Sequence, residues 1–110
     1  MSSSSTPMPG RPVRGSTTGR PVMAALDLLG RRWSLRIIWE LRDGPLGARA
    51  LRDQCDEMSS SVLYDRLREL TTAGIVGADN GTYGLTPTGS DLIAALMPLV
   101  DWSDRWAAEN

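Results

Sequence analysis

The stretch MSSSVLYDRLRELTTAGIV, residues 58–76, decides how this chain is read. Its serines offer a helix N-cap, because a Ser hydroxyl accepts a hydrogen bond from the unpaired N–H groups of a first turn. Val62, Leu63, Leu67 and Leu70 then recur at helical spacing and form a narrow apolar stripe. Gly74 supplies the left-handed stop that ends many helices. The spacing predicts a helix over about 60–73, capped by Ser59 or Ser60, with its leucines inward and its arginines and hydroxyls outward.

Downstream, Ile75-Val76-Gly77-Ala78 reads as a short strand, and Thr82-Tyr83-Gly84-Leu85-Thr86 as its return. Asp79-Asn80-Gly81 between them is a hairpin turn, since Asn-Gly favours the two positive φ values that a tight hairpin needs. A last helix is predicted from near Pro87-Thr88 to about Ala107, kinked at Pro98. Upstream, Pro21 opens a helix in which Met23, Leu26 and Leu29 share a face, and Gly30 stops it. Ser34 is the expected N-cap of a second helix running to about Asp43, with Leu35, Ile38, Trp39 and Leu41 as its stripe. Leu46 lies in a link long enough for one β-bridge. A third helix follows from about Ala48 to Gln54, with Ala50 and Leu51 inward, and Cys55-Asp56-Glu57 is the turn before the fourth. The expected fold is mainly α with a small β-hairpin, the layout of a winged helix-turn-helix.

Composition narrows the function. The chain has 110 residues, enough for one domain with a modest core. Residues 1–20 are rich in Ser, Thr, Pro, Gly and Arg and are expected to be a disordered leader; residues 21–110 form the domain. There is no His, one Cys and no glycine-rich phosphate loop, so zinc, nucleotide and hydrolytic chemistry lack their usual groups. An enzyme is not expected, nor a cofactor or a metal. Neither an apolar leader nor a membrane-length apolar run is present, which points to the cytoplasm. All twelve basic residues are Arg, whose planar fork suits phosphate and guanine. Eleven of them fall in residues 1–72 against eight acids; residues 73–110 hold one Arg against five. That division fits a DNA-facing front and a separate partner-facing tail, and fits ordinary surface charge equally well.

The outward face of the fourth helix supplies the candidate contacts. Ser59 and Ser60 lie at its N-terminus, where free N–H groups and hydroxyls suit a phosphate. Ser61, Tyr64 and Asp65 are placed for base edges, and Arg68, a turn further on, for phosphate or guanine. Arg66 flanks the apolar stripe and either binds phosphate or pairs with Asp65 or Glu69. Arg49 and Arg52 on the third helix are candidates for holding the DNA backbone. Cys55 is a possible sensor: a thiol beside a helix N-terminus is activated, whereas one tucked among acids is not. The last helix is apolar around much of its circumference, which suits a second copy of the chain, with Trp102 and Trp106 as anchors beside Leu96, Leu99 and Val100.

With these segments in hand, the chain resembles the HxlR-type winged-helix transcriptional regulators, which are MarR-like. The resemblance is carried by LDLLGRRWSLRIIWELRDGPLGARALRDQC (residues 26–55), the 58–76 stretch, YGLTPTG (83–89) and VDWSDRW (100–106). It implies a homodimeric regulator of double-stranded DNA whose fourth helix is the recognition helix and whose hairpin is the wing. It also implies a dimer built by the N- and C-terminal helices, which adds Met23 and Leu26 to the interface. Some relatives sense reactive compounds through a Cys near the start of the first helix, and here Arg20 occupies that place. The hairpin of residues 77–84 is shorter than in many relatives and has no Arg. Two readings follow: a sequence-specific DNA-binding regulator open to small-molecule or reactive-compound control, and a winged-helix interaction module that has lost DNA binding.

Overall fold

A computed structural model describes residues 6–56 and 58–110; the first five residues of the leader and Glu57 of the predicted turn lie outside the described residues. Five helices and three strands follow in the order α1 (Pro21–Leu29), α2 (Ser34–Glu40), β1 (Leu46–Gly47), α3 (Ala48–Gln54), α4 (Ser60–Thr72), β2 (Val76–Asp79), β3 (Thr82–Leu85) and α5 (Pro87–Ala108). The strands form one antiparallel sheet in the order β1-β3-β2. The link at Leu46 is thus a third strand, pairing Leu46 with Tyr83 and Gly47 with Thr82. Asn80 (φ 51°) and Gly81 (φ 83°) make the hairpin turn, and Asp79 faces Thr82 across it.

Capping chemistry sets both ends of α4. The Ser59 hydroxyl accepts from the Val62 N–H at 3.2 Å. At the other end the Ile75 N–H donates to the Leu70 carbonyl and the Gly74 N–H to the Thr71 carbonyl, with Gly74 at φ 80°. This paired closure satisfies two orphan carbonyls and turns the chain directly into β2. Thr86 caps α5 in the same way: its hydroxyl accepts from the Gly89 N–H at 3.1 Å and donates to the Gly74 carbonyl at 2.6 Å. That hydroxyl therefore ties the start of α5 to the end of α4.

The core gathers Leu28, Ile37, Ile38, Leu41, Leu51, Leu63, Leu67, Leu70, Ile75 and Val76 around the fully buried Cys55. Its α4 contribution is the predicted leucine stripe, with Val62 half-buried beside it. Elsewhere the helical phase differs from expectation. α1 turns Ala24 and Leu28 inward, an i, i+4 pair, and leaves Leu26 58% exposed. α2 begins after Trp33, which adopts a left-handed φ of 75°, so Ser34 is its first residue rather than its cap. This start rotates the buried face to Ser34, Ile37 and Ile38, leaves Leu35 exposed, and the helix ends at Glu40 rather than near Asp43. On α3 only Leu51 is buried; Ala50 faces solvent. α5 remains one helix through Pro98.

Residues 6–20, expected from composition to be disordered, are placed as a turn-rich loop. The Gly10 N–H donates to the Gly19 carbonyl, Val13 and Ser16 form a β-bridge, and the Arg14 N–H donates to the Asp27 carboxylate at 3.1 Å. Backbone hydrogen bonds close the loop on itself, the Arg14 N–H ties it to Asp27 of α1, and Pro7 is buried; composition carries no signal for these contacts.

Candidate nucleic-acid interface

On α3 and α4 every candidate residue except Arg66 is exposed. Ser59, Ser60, Ser61, Tyr64, Asp65 and Arg68 all face solvent on α4, opposite its buried leucines. Arg49 and Arg52 are exposed on α3 and form no ion pair among the described residues. Arg68 is paired with Asp65, Nη2 to Oδ1 at 2.9 Å, and its side chain is 69% exposed. An exposed i, i+3 pair of this kind contributes only a few tenths of a kcal/mol, so Arg68 is released to a phosphate or base at little expense. The wing tip, Asp79-Asn80-Gly81, carries no cation.

Arg66 stands apart from this face. Its Nε donates to the Arg32 carbonyl at 2.8 Å and its Nη1 to Glu69 Oε1 at 2.8 Å. The other oxygen of the same carboxylate receives Arg31 Nη1 at 2.8 Å. Of the alternatives posed for Arg66, the structure shows the ion pair. One buried carboxylate on α4 thereby holds two guanidiniums, one of them from the α1–α2 connection. Arg31 and Arg32 together serve this junction, Arg31 through its side chain and Arg32 through its carbonyl. The i, i+3 spacing of Arg66 and Glu69 signals half of this cluster; Arg31, 38 residues from Glu69, is invisible to local spacing.

Cys55 has no exposed surface. Burial pushes its thiol pKa up, the nearby Arg36 guanidinium opposes this, and Glu40 and Asp56 add to the rise. Burial and a raised pKa are the opposite of what a reactive thiolate needs. The surrounding turn is fastened by Arg36, which bonds the Gln54 carbonyl at 2.6 Å and Glu40 at 2.8 Å. The apolar residues assigned to pairing are available: on α5 Leu99 and the stacked Trp102 and Trp106, centroids 5.6 Å apart, are exposed, with Leu96 and Val100 half-buried. Leu96, Leu99 and Val100 also border an apolar cleft against Leu35 and Trp39.

A family model described as HxlR-like helix-turn-helix matches residues 28–110. The chain belongs to the HxlR family. The HTH-type transcriptional regulator YodB of Bacillus subtilis (strain 168) is 30% identical to it over 99 residues, 84% of this chain and 88% of YodB. The crystal structure of quinone-bound YodB from B. subtilis superposes with a TM-score of 0.73 at 33% identity, over 76% of this chain and 96% of that one. A MarR-family transcriptional regulator structure from Enterococcus faecalis V583 gives a TM-score of 0.73 at 30% identity, over 86% and 96%. The HxlR chain thus has the winged-helix architecture of transcriptional regulators, and the comparisons indicate no enzyme family. Among the described residues no helix is long and apolar enough to cross a membrane.

Proposed function

We propose that this HxlR-family protein is a sequence-specific DNA-binding transcriptional regulator that acts as a homodimer. The observation that carries the reading is the outer face of α4, where three serines at the N-terminus, Tyr64 and Arg68 lie exposed on a helix whose leucines are all inward. The serines and the helix N-terminus hold phosphate, Ser61, Tyr64 and Asp65 meet base edges, and Arg68 reaches phosphate or guanine. Arg49 and Arg52 fix the register on the backbone. The dimer is formed by α1 and α5 through Met23, Leu26, Leu96, Leu99, Val100, Trp102 and Trp106. Two recognition helices related by a dyad then meet half-sites about 34–36 Å apart. Control by a small molecule is supported by the quinone-bound state of YodB; in this chain the buried Cys55 is poorly placed for direct attack.

The Asp65–Arg68 pair and the cation-free wing favour a second reading, a module that binds protein rather than DNA. Fluorescence anisotropy separates the two. The protein is titrated against duplex DNA from its own upstream intergenic region and against a scrambled duplex, at several salt concentrations. The regulator binds the native duplex selectively and with a steep salt slope. Equal or absent binding to both duplexes overturns the regulator reading.

A further inference from the structure

The exposed face of α4 formed by Ser60, Ser61, Tyr64, Asp65 and Arg68 carries one cation and one carboxylate, and the two are bonded to each other. Arg68 Nη2 donates to Asp65 Oδ1 at 2.9 Å. Glu69, the other acid of α4, is buried under Arg31 and Arg66 and takes no part in this face. The face as a whole is therefore neutral and offers no net attraction to a phosphate backbone. α3 differs: its Arg49 and Arg52 are exposed and lie outside any ion pair among the described residues.

On DNA, Arg68 has a choice between a phosphate and a base edge, and its partner bears on that choice. A guanidinium has five N–H donors in a planar fork. Whichever Nη2 proton Asp65 takes, one two-donor edge of the fork stays whole, and no other acceptor among the described residues claims it. Such an edge matches O6 and N7 of guanine. A swing to phosphate would break the pair and leave Asp65 as a bare carboxylate against a polyanion. Reading guanine keeps the pair intact. In the free protein water reaches both side chains, 69% and 51% exposed, and the bond is weak. A groove that excludes this water strengthens the same contact. The bond also narrows the rotamers of a long side chain before DNA arrives, which lowers the ordering cost of binding.

We propose that Arg68 reads a guanine in each operator half-site, and that Asp65 is the positioning residue that holds its guanidinium edge-on to that base and away from phosphate. The assignment rests on the DNA-binding reading above and narrows Arg68 from phosphate or guanine to guanine. Backbone attraction then comes from Arg49 and Arg52 on α3 rather than from the reading face. Asp65 Oδ2 stays open to an amino group of a neighbouring base.

The test uses the full chain and fluorescence anisotropy. The probes are duplex DNA from its own upstream intergenic region, a scrambled duplex, and copies of the first in which single guanines are replaced by 7-deazaguanine, which lacks the N7 acceptor. Both side chains are exposed, so Arg68→Ala and Asp65→Asn leave the core closed. The parent is expected to lose about tenfold at one guanine per half-site, as the loss of one charge-assisted hydrogen bond implies. In Arg68→Ala the same replacement is expected to have no further effect, and the salt slope to stay at the parent value. A lost phosphate contact would instead flatten that slope by about 0.9. Asp65→Asn is expected to tighten the scrambled duplex and to shrink the 7-deazaguanine penalty at that guanine to about threefold or less, a change of base preference that a merely structural role would not produce. A flatter salt slope in Arg68→Ala, or a guanine penalty that survives this substitution everywhere, overturns the guanine assignment. An undiminished penalty in Asp65→Asn overturns the positioning role of Asp65. Selective binding by the parent keeps the regulator reading in place through either failure, whereas a parent that does not prefer its own duplex brings down that reading and this proposal together.

Discussion

Replacing Glu69 with Gln tests whether the carboxylate cluster holds α4 to the rest of the domain. Gln keeps the shape of the side chain and one acceptor oxygen, but turns the other contact into an NH₂ group facing a guanidinium. The native carboxylate receives Arg31 and Arg66 at 2.8 Å each, with side-chain exposures of 24% and 19% for the two arginines and 10% for Glu69. Breaking a fully buried ion pair by removing one partner costs about 3–5 kcal/mol. Here water reaches both guanidiniums and shares the burden, which lowers the expected loss to about 2–3 kcal/mol. In a domain of this size each kcal/mol moves Tm by about 4–8 °C, so Glu69→Gln is expected to melt roughly 10–20 °C lower. Native stability of about 5–15 kcal/mol leaves the variant folded at room temperature. Urea unfolding followed by tryptophan fluorescence, beside thermal melts, measures the loss. A double-mutant cycle with Arg66→Met isolates the pairwise part, expected at about 1 kcal/mol or more. A Glu69→Gln variant within about 0.5 kcal/mol of the parent, or a cycle that is additive, would refute the claim that this cluster fastens α4.

Four further outcomes follow from the same geometry. Gly89→Ala places a Cβ against the backbone carbonyl of Ile75, which cannot swing away, and is expected to cost about 1–3 kcal/mol in urea unfolding; an unchanged midpoint would show that α5 can shift off β2. Arg68→Ala is expected to weaken operator binding by about 1–3 kcal/mol, whereas Asp65→Asn frees Arg68 and removes a repelling charge, so it should tighten binding to scrambled DNA; anisotropy that leaves both variants at the parent value removes this pair from the reading face. Cys55 should react with iodoacetamide far more slowly in the native protein than in urea. Its pKa is raised by burial, so its contribution to stability is complete below the unfolded thiol range, near about pH 8.5, and fades as pH climbs through the folded value; rapid native labelling at neutral pH would contradict this. Trp102→Ala with Trp106→Ala should shift sedimentation from dimer toward monomer, and a dimer that persists unchanged places the interface elsewhere.

What local chemistry determines was readable in the chain, and what long-range packing determines was not. The Ser59 cap, the leucine stripe of α4, the Gly74 stop and the Asn80-Gly81 hairpin each depend on residues within a few positions of one another, and each is present in the structure. The phase of α2 depends on a left-handed Trp33, a conformation that bulky residues rarely adopt. Nothing adjacent to Trp33 demands it; Ser34, placed in its wake, becomes a buried hydroxyl without a partner among the described residues instead of a cap. Likewise, hydropathy puts Glu69 on the surface, and its burial is tolerable because Arg31, arriving from 38 residues away, joins Arg66 on its carboxylate.

The same distinction explains why the proposed reading face of α4 was easier to name than the way α4 is held. Contacts to DNA require side chains that the domain leaves unused, so they follow from subtracting the apolar stripe. Orientation of the helix requires side chains that the domain does use, and these come from three places: the Thr86 hydroxyl at the α4 C-terminus, the Leu70 and Thr71 carbonyls closed by the turn into β2, and the Arg31–Glu69–Arg66 cluster on its flank. Two of these lock the C-terminal end to the wing and α5. The third links the helix to the α1–α2 connection through charge and through the Arg66–Arg32 hydrogen bond. A packed contact has few alternatives at similar energy, whereas a guanidinium with donors to spare can exchange one carboxylate for another. The Arg31–Glu69–Arg66 cluster is thus an attachment of α4 that can be altered without opening the core.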